Sequence, residues 1–249
     1  MFSCLRIEES QNSIVPWELL NLKDEPLGVT LQTVRSRSIP DDEMQVNPDF
    51  CFQGQALVYA SGGVEQIDRD FPRFQSYLYE TCTHPEPKEV LKHLKEVDIA
   101  MGVGLVMMMD SSLNQVLKGD RTFFIKRAKV LKSSIVILQL SSMIQDGIDY
   151  QETAVTFLEH GAKGVLGMLN NIEGAITKQI MNNFFDEYSR NPGLSIPEII
   201  RQLRETIADK LKNDEYDDYE EMSRLYLATF MYAYYGHPLT VLQLTRASP

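Results

Sequence analysis

The chain contains few residues of the kinds that form cross-links or bind metal ions. Its 249 residues include three cysteines and four histidines. The cysteines are Cys4, Cys51 and Cys82, an odd number without metal-site spacing, which argues against a disulfide framework and a structural metal ion. We therefore predict a reducing, cytoplasmic compartment, and we expect no bound metal ion and no cofactor.

Basic residues and long apolar runs are also scarce. Lys and Arg number 24 against 35 Asp and Glu, so the net charge is −11. A field of this sign repels phosphate backbones and anionic lipids, which excludes nucleic acid and membrane surfaces as expected partners. No run approaches the roughly 18 consecutive apolar residues of a spanning helix. Residues 1–9 also lack the basic start and apolar centre of a secretory signal.

The sequence does contain an alternation of short apolar runs with segments of helical periodicity. We predict strands at 4–8, 27–34, 55–60, 97–101, 134–138, 164–169 and 239–242. We predict helices at 66–81, 86–94, 123–131, 150–160, 174–190 and 196–213. This alternation implies βαβ crossovers, so the predicted fold class is α/β, a mostly parallel sheet with helices on both faces. Without a repeat or a low-complexity linker, residues 1–249 are predicted to form a single domain.

Two of the predicted strands, 97–101 and 134–138, are apolar throughout, and neither ends in a reactive side chain. The first continues into Gly102–Val106 and the second into Gln139–Ser142. Functional groups of open α/β sheets lie at the carboxyl ends of the strands. The pattern therefore indicates the scaffold of an enzyme without its chemistry.

Four segments in this order resemble segments of the CHAT domain, a branch of the caspase and separase-like cysteine protease fold. They are Ile14–Leu20 with Pro26–Gly28; Val97–Ile99 with Ser111–Leu113 and Leu117–Asp120; Ala154–Gly167; and Ala233–Pro238. Together they extend over nearly the whole chain. The resemblance implies a caspase-like sheet with helices on both faces.

In that family the catalytic pair is a His at the end of one strand and a Cys at the end of the next. The resemblance places the His position at Leu105, or at Val103 in a shifted register, and the Cys position at Ser141. No His or Cys occurs from residue 95 to residue 151. Because an imidazole beside the thiol is what favours the thiolate nucleophile, the resemblance implies a domain without protease activity.

Other candidate groups have simpler interpretations. Ser141 lacks an adjacent base in this sequence and is interpreted as a turn residue, and Cys82 with His84 is not expected to form a site. His160 is interpreted as a helix cap and His237 as a turn residue. The carboxylates of 214–221 are interpreted as a solvated loop or helix start, and Met107–Met109 as core rather than a partner groove.

Six tyrosines lie close together near the C-terminus: Tyr216, Tyr219, Tyr226, Tyr232, Tyr234 and Tyr235. They indicate either a docking surface or a buried helix that packs Tyr226, Phe230 and Tyr234 at helical spacing, and the helix is preferred.

The sequence thus favours a catalytically inactive, CHAT-like pseudoprotease that acts as a protein-binding, regulatory or scaffolding module. The resemblance implies a protein partner such as a repeat or sensor protein, and the oligomeric state stays open. One alternative is a peptidase with a rearranged or partner-completed active site. A second alternative is a small-ligand sensor that uses the same crevice.

Overall fold

The structure is a computed structural model of the chain. It describes residues 4–8, 15–22, 24–36, 51–60, 71–72, 74–82, 103–109, 134–139 and 149–246. The predicted helices at 86–94 and 123–131 and the predicted strand at 97–101 lie outside the described residues. No helix within the described ranges is long and apolar enough to cross a membrane.

The described elements alternate along the chain. The first part contains β1 (Cys4–Glu8), a 3₁₀ turn (Trp17–Leu19), β2 (Asn21–Leu22), β3 (Glu25–Pro26), α1 (Leu27–Thr30) and β4 (Gln32–Ser36). The middle part contains β5 (Cys51–Tyr59), a 3₁₀ turn (Gln75–Tyr77), β6 (Leu78–Cys82), β7 (Val103–Met108) and β8 (Ile135–Leu138). The last part contains α2 (Tyr150–Glu159), β9 (Gly164–Met168), α3 (Gly174–Arg190), α4 (Ile196–Lys212), α5 (Tyr219–Thr229), β10 (Tyr232–Gly236) and β11 (Val241–Leu244).

Nine of the described strands form one sheet. Their order is β1-β4-β10-β9-β8-β7-β5-β11, and β6 also pairs with β5. Within this sheet β10 runs antiparallel to β9, and the other described pairings are parallel. β2 and β3 form a separate antiparallel pair. The predicted class, an α/β fold with a mostly parallel sheet, is confirmed.

The two faces of the sheet carry two separate cores. On one face Leu105 and Met107 pack with residues of α3, α4 and α5, and on the other face Val106 and Met108 pack with residues of α2. This alternation is the period-2 pattern of a strand that is covered on both sides. The predicted core placement of the three methionines is confirmed for Met107 and Met108, which are 0% exposed.

Polar residues at the helix ends confirm two interpretations, that of His160 as a helix cap and that of the acidic run at 214–221 as a loop or helix start. Asp149 caps α2 by accepting a hydrogen bond from Glu152 N at 2.9 Å, and His160 Nδ1 lies 2.8 Å from Thr156 O at the other end. Asp218 caps α5 by accepting from Glu220 N at 2.8 Å. Part of the acidic run is thus a helix start, where the helix dipole favours carboxylates.

Three of the predicted elements are wrong in part. The helix predicted at 66–81 gives way to a 3₁₀ turn and β6, because Phe71 and Phe74 are buried against α3 from irregular backbone rather than from a helix. The strand predicted at 27–34 begins with the helical turn α1. The helix predicted to include Tyr234 ends at Thr229, and Tyr234 lies on β10, whose side chains alternate between the two cores.

The residues expected to follow the predicted strand at 97–101 differ from that expectation. Residues 103–106, expected to follow that strand, are themselves the first residues of β7. Gly104 allows this because β7 approaches β5 closely there, and a Cβ at Gly104 would lie 3.0 Å from Gly54 N. The carboxyl end of this strand is therefore at Met108.

Candidate functional site at the carboxyl edge of the sheet

Five neighbouring parallel strands, β6, β5, β7, β8 and β9, reach the same edge of the sheet. One register row across this edge contains Cys82, Tyr59, Met108, Leu138 and Gly167. Ligands and catalytic groups of open α/β sheets lie outside this edge. We define the carboxyl edge as this row and the residues that follow it, and we take it as the candidate site.

Two main-chain hydrogen bonds extend the sheet one residue beyond this row. Met109 N donates to Tyr59 O at 2.8 Å, and Gln139 N donates to Met108 O at 2.8 Å. The chain therefore leaves β7 and β8 at neighbouring positions. A catalytic pair carried by these two strand ends would be adjacent in space.

A buried polar cluster lies at this edge, between β8, β10 and α3. Gln139 is 5% exposed, and its Nε2 donates to Tyr232 Oη at 3.4 Å. Thr177 Oγ1 lies 3.9 Å from Met168 Sδ and 3.5 Å from Ile172 O. Within the described part of the chain, Gln139 Oε1 has no hydrogen-bond partner.

This cluster provides hydrogen bonds rather than a nucleophile. Burial raises the pKa of Tyr232, against the opposing effect of hydrogen bonds from Gln139 and Thr177, so the phenol stays protonated at neutral pH. A protonated phenol, an amide and a hydroxyl without an adjacent base are poor nucleophiles. This buried polar cluster therefore contains no activated nucleophile.

The structure does not place Leu105 where the sequence comparison put it. Leu105 is the third residue of β7, is 0% exposed and packs into the α3–α5 core, and Val103 is the first residue of the same strand. The expectation that either position follows a strand end is wrong. The reason is that β7 begins where the sequence interpretation placed the following loop. Ser141 lies outside the described residues, two positions after Gln139.

The sequence interpretation missed the position of Cys82. Cys82 is the last residue of β6 and belongs to the register row of the carboxyl edge, where its main chain pairs with Tyr59. The helix predicted over 66–81 had placed it in a loop after a helix. Cys4 lies elsewhere, on β1 at the end of the strand order, and partial burial raises the pKa of its thiol. His84 lies outside the described residues.

The segment 15–30 packs onto the sheet through a buried ion pair. Glu18 accepts hydrogen bonds from Arg35 Nε at 3.0 Å and Arg35 Nη2 at 2.5 Å, and the two side chains are 1% and 0% exposed. On its outer side the same segment exposes Val15, Trp17 and Leu20, by 43%, 37% and 53%. The 3₁₀ turn thus directs its carboxylate inward and its apolar side chains outward.

A second buried arginine lies beside this pair. Arg204 donates to Tyr232 O at 2.9 Å and to Thr33 Oγ1 at 3.3 Å, and burial lowers its pKa to about 10. A Cβ at Gly28 would lie 2.6 Å from Arg204 Nη1 and 2.9 Å from Glu18 Cβ. Residues 15–20 and 26–28, which belong to two segments that carry the family resemblance, therefore meet at one structural cluster.

A shallow groove lies between the first turns of α3 and α5, with a volume of about 290 Å³. Its lining includes Glu173, Asp218, Glu220 and Glu221, together with Arg224. Asp218 caps α5 and Glu220 pairs with Arg224, so both carboxylates have a structural role. Within the described ranges, no group of three or more metal-ligating side chains is present.

The C-terminal tyrosines do not form a common surface. Tyr232, Tyr234 and Tyr235 are buried on β10, whereas Tyr219 is 64% exposed. Tyr226 packs its ring against Phe230 with the ring centres 5.0 Å apart. The tyrosine-rich composition therefore reflects mainly the core around β10.

The fold is that of caspase-like proteases, as comparison with solved structures shows. The chain is similar to separase in two crystal structures of the Saccharomyces cerevisiae separase–securin complex. In the 2.6 Å structure the TM-score is 0.56, with 15% identity over 93% of this chain. In the 3.0 Å structure the TM-score is 0.57, with 15% identity over 92% of this chain. In both cases the chain spans 15% of the length of the separase chain.

No protein-family model matches the chain, and no curated protein matches it. The predicted caspase and separase-like fold is confirmed by the structural similarity.

Proposed function

We propose that the chain is a CHAT-like pseudoprotease, a caspase-like fold without protease activity that acts as a protein-binding, regulatory module. The observation that carries the proposal is the position of the strand ends. β7 ends at Met108 and β8 at Leu138, and the sequence contains no Cys or His from residue 95 to residue 151. Neither strand end can therefore supply the thiol or the imidazole of the family's pair, whichever register is chosen.

The corrected bounds of β7 strengthen this argument. The family's His follows the end of its strand and β7 ends at Met108, so we infer that the matching position follows Met108 rather than lying at Leu105. The residues that follow are Met109, Asp110 and Ser111. The carboxylate of Asp110 could accept a proton. Without a further group to orient it, however, it does not replace an imidazole, which takes a proton from the nucleophile and later gives one to the leaving group.

We expect the purified chain to cleave no member of a diverse fluorogenic peptide library above the rate of a buffer control. Cleavage is measured by fluorescence and by mass spectrometry of the peptides. Ser141→Ala is compared with the neighbouring variant Ser142→Ala, and both are expected to leave this background unchanged. Cleavage by the wild type that Ser141→Ala abolishes and Ser142→Ala retains would contradict the pseudoprotease proposal.

The protein-binding part of the proposal is supported by two observations. The separase chains with this fold were crystallised in complexes with a protein, securin. In addition, the polar cluster of Gln139, Tyr232 and Thr177 at this edge provides hydrogen-bonding groups and no activated nucleophile. The test is affinity capture followed by reconstitution from purified components, which is expected to give a saturable complex of defined stoichiometry. Failure to reconstitute a complex with any captured protein would oppose a binding role.

The position of Cys82 favours a second candidate function, a peptidase with a rearranged or partner-completed active centre. Cys82 is the cysteine that the described sheet places at the carboxyl edge. A thiolate there would be a competent nucleophile if a base lay beside it.

This second candidate predicts selective alkylation of Cys82. With iodoacetamide in limiting amount, Cys82 should react at least about ten times faster than Cys4, because the base that this candidate requires beside Cys82 would raise its thiolate fraction at neutral pH. The labelled residue is mapped by mass spectrometry, and Cys82→Ser should abolish any peptide cleavage. Equal labelling of the two cysteines would eliminate this candidate and leave the pseudoprotease.

A further inference from the structure

The turn between β10 and β11 is held by an imidazole. Leu239 N donates to His237 Nδ1 at 3.2 Å, so Nδ1 is unprotonated and the ring is neutral in this arrangement. Thr240 N donates to His237 O at 3.1 Å, and Tyr234 Oη lies 3.5 Å from the same oxygen. Gly236 enters the turn with φ +153°, a conformation that favours glycine.

This turn connects three elements of the fold. Thr240 O accepts a hydrogen bond from Ile196 N at 2.9 Å, at the start of α4, and Ser195 forms a bridge with Val241. Val241 is also the first residue of β11, which pairs with β5. The hydrogen bond to the imidazole therefore helps to fix where β11 and α4 begin.

We propose that His237 makes this turn a pH-sensitive latch. The neutral imidazole accepts the Leu239 N–H, whereas the imidazolium carries a proton on Nδ1 and cannot accept it. Protonation therefore breaks the latch and loosens the start of β11 and the contact with α4. The proposal concerns the amino edge of the sheet and is independent of the function proposed for the carboxyl edge.

The surroundings of the ring favour its neutral form. Burial lowers the pKa of His237 from its ordinary value of 6.5. Other ionisable groups lie on described elements around the turn. Tyr234 on β10 is buried, and burial raises the pKa of its phenol, which is therefore protonated. Lys163 precedes Gly164, the residue of β9 that pairs with Gly236 of β10. Glu198, in the first turn of α4, is engaged by Arg201 at 2.8 Å. Burial disfavours the charged imidazolium and so favours the neutral ring that accepts the Leu239 N–H.

The direction of the pH dependence follows from the lowered pKa. The unfolded chain binds a proton at His237 at a higher pH than the folded protein does. The stabilisation by the latch is thus complete above the unfolded pKa and is lost as the pH falls through the folded pKa.

The test compares the wild type with His237→Asn and His237→Asp over a pH series. An Asn or Asp side-chain oxygen accepts an N–H two residues later without the titration of an imidazole in this range. We expect the Tm of the wild type to fall by about 2–4 °C more than that of His237→Asn between about pH 7.5 and pH 5, which corresponds to one hydrogen bond in a domain of this size.

A local measurement accompanies the Tm. The Leu239 amide resonance should shift along the His237 titration in the wild type, and its hydrogen-exchange protection should decrease at the acidic end. Both changes should be absent in His237→Asn. Equal Tm losses in the wild type and His237→Asn, or a Leu239 amide that does not follow the imidazole titration, would overturn the proposal. The Tm of His237→Asp should show the same pH dependence as the Tm of His237→Asn. Agreement between the two variants shows that the result does not come from the misfolding of one of them.

Discussion

Glu18→Gln is expected to lower the free energy of unfolding by about 3–5 kcal/mol, the usual effect of removing one partner of a buried ion pair. The carboxylate of Glu18 is the counter-ion of Arg35, and both side chains are almost fully buried. The substitution removes the Glu18 carboxylate from a buried cluster that also contains the guanidinium groups of Arg35 and Arg204. By the usual scaling for a domain of this size, the Tm should fall by roughly 10 °C.

Urea denaturation followed by circular dichroism measures this loss, and Glu205→Gln is the matched control. Glu205 pairs with Arg201 at 3.0 Å, but its side chain is 48% exposed, so its loss should change stability by about 0.5 kcal/mol or less. A second variant, Glu18→Gln with Arg35→Met, also removes the buried charge of Arg35 and should recover part of the stability. If Glu18→Gln were as stable as Glu205→Gln, the ion pair would not anchor the segment 15–30.

Gly167→Val is expected to have the second-largest effect, a loss of about 2–4 kcal/mol from a steric clash and the displaced hydrogen bond of Tyr150. The Tyr150 ring lies against Gly167, and a Cβ at Gly167 would be 2.8 Å from Tyr150 Cζ. Tyr150 also donates to Ala233 O at 2.9 Å and packs its ring edge-to-face against Tyr235. The added side chain must therefore displace a buried ring from α2, although valine itself favours strands.

The same substitution at Gly174 is the control, because a Cβ there meets nothing within 4 Å. Gly174→Val should change the free energy of unfolding by only about 0.5 kcal/mol. Tyr150→Ala should cost less in the Gly167→Val background than in the wild type, since the two residues occupy the same space. Additive losses in the double variant would show that Tyr150 and Gly167 do not interact.

The local spacing of apolar residues correctly predicted the helices and strands whose buried side chains repeat at the period of the element. The helices α2, α3 and α4 and the strands β8 and β9 lie within one or two residues of their predicted bounds. Their apolar residues repeat at the spacing of the element itself, so the pattern is visible in a short window. The parallel character of the sheet followed from the alternation of these elements.

The spacing of apolar residues predicted the wrong element where side chains are buried by contacts with a distant part of the chain. Phe71 and Phe74 have the spacing of a helix face, but they are buried because Phe185 of α3 packs against both rings. Residues 102–106 contain two glycines and follow the predicted strand, but Gly104 lies within β7, where β5 approaches it closely. In both cases the residue that decides the local structure is far away in sequence.

For the candidate site, the sequence by itself determined which reactive groups are missing. The absence of His and Cys from residue 95 to residue 151 is a property of composition, and no register or strand boundary can alter it. The sequence also determined the acidic charge and the fold class, because both follow from residue counts and local spacing.

Only the tertiary structure decided where the remaining groups lie. It showed that a strand of this region ends at Met108 rather than at residue 101, and it placed Cys82 in the same register row. It also inserted the antiparallel β10 between β4 and β9, and it brought Glu18, Arg35 and Arg204 into one buried cluster. The physical reason is that strand pairing and burial of charge are contacts between distant segments, which local spacing does not encode.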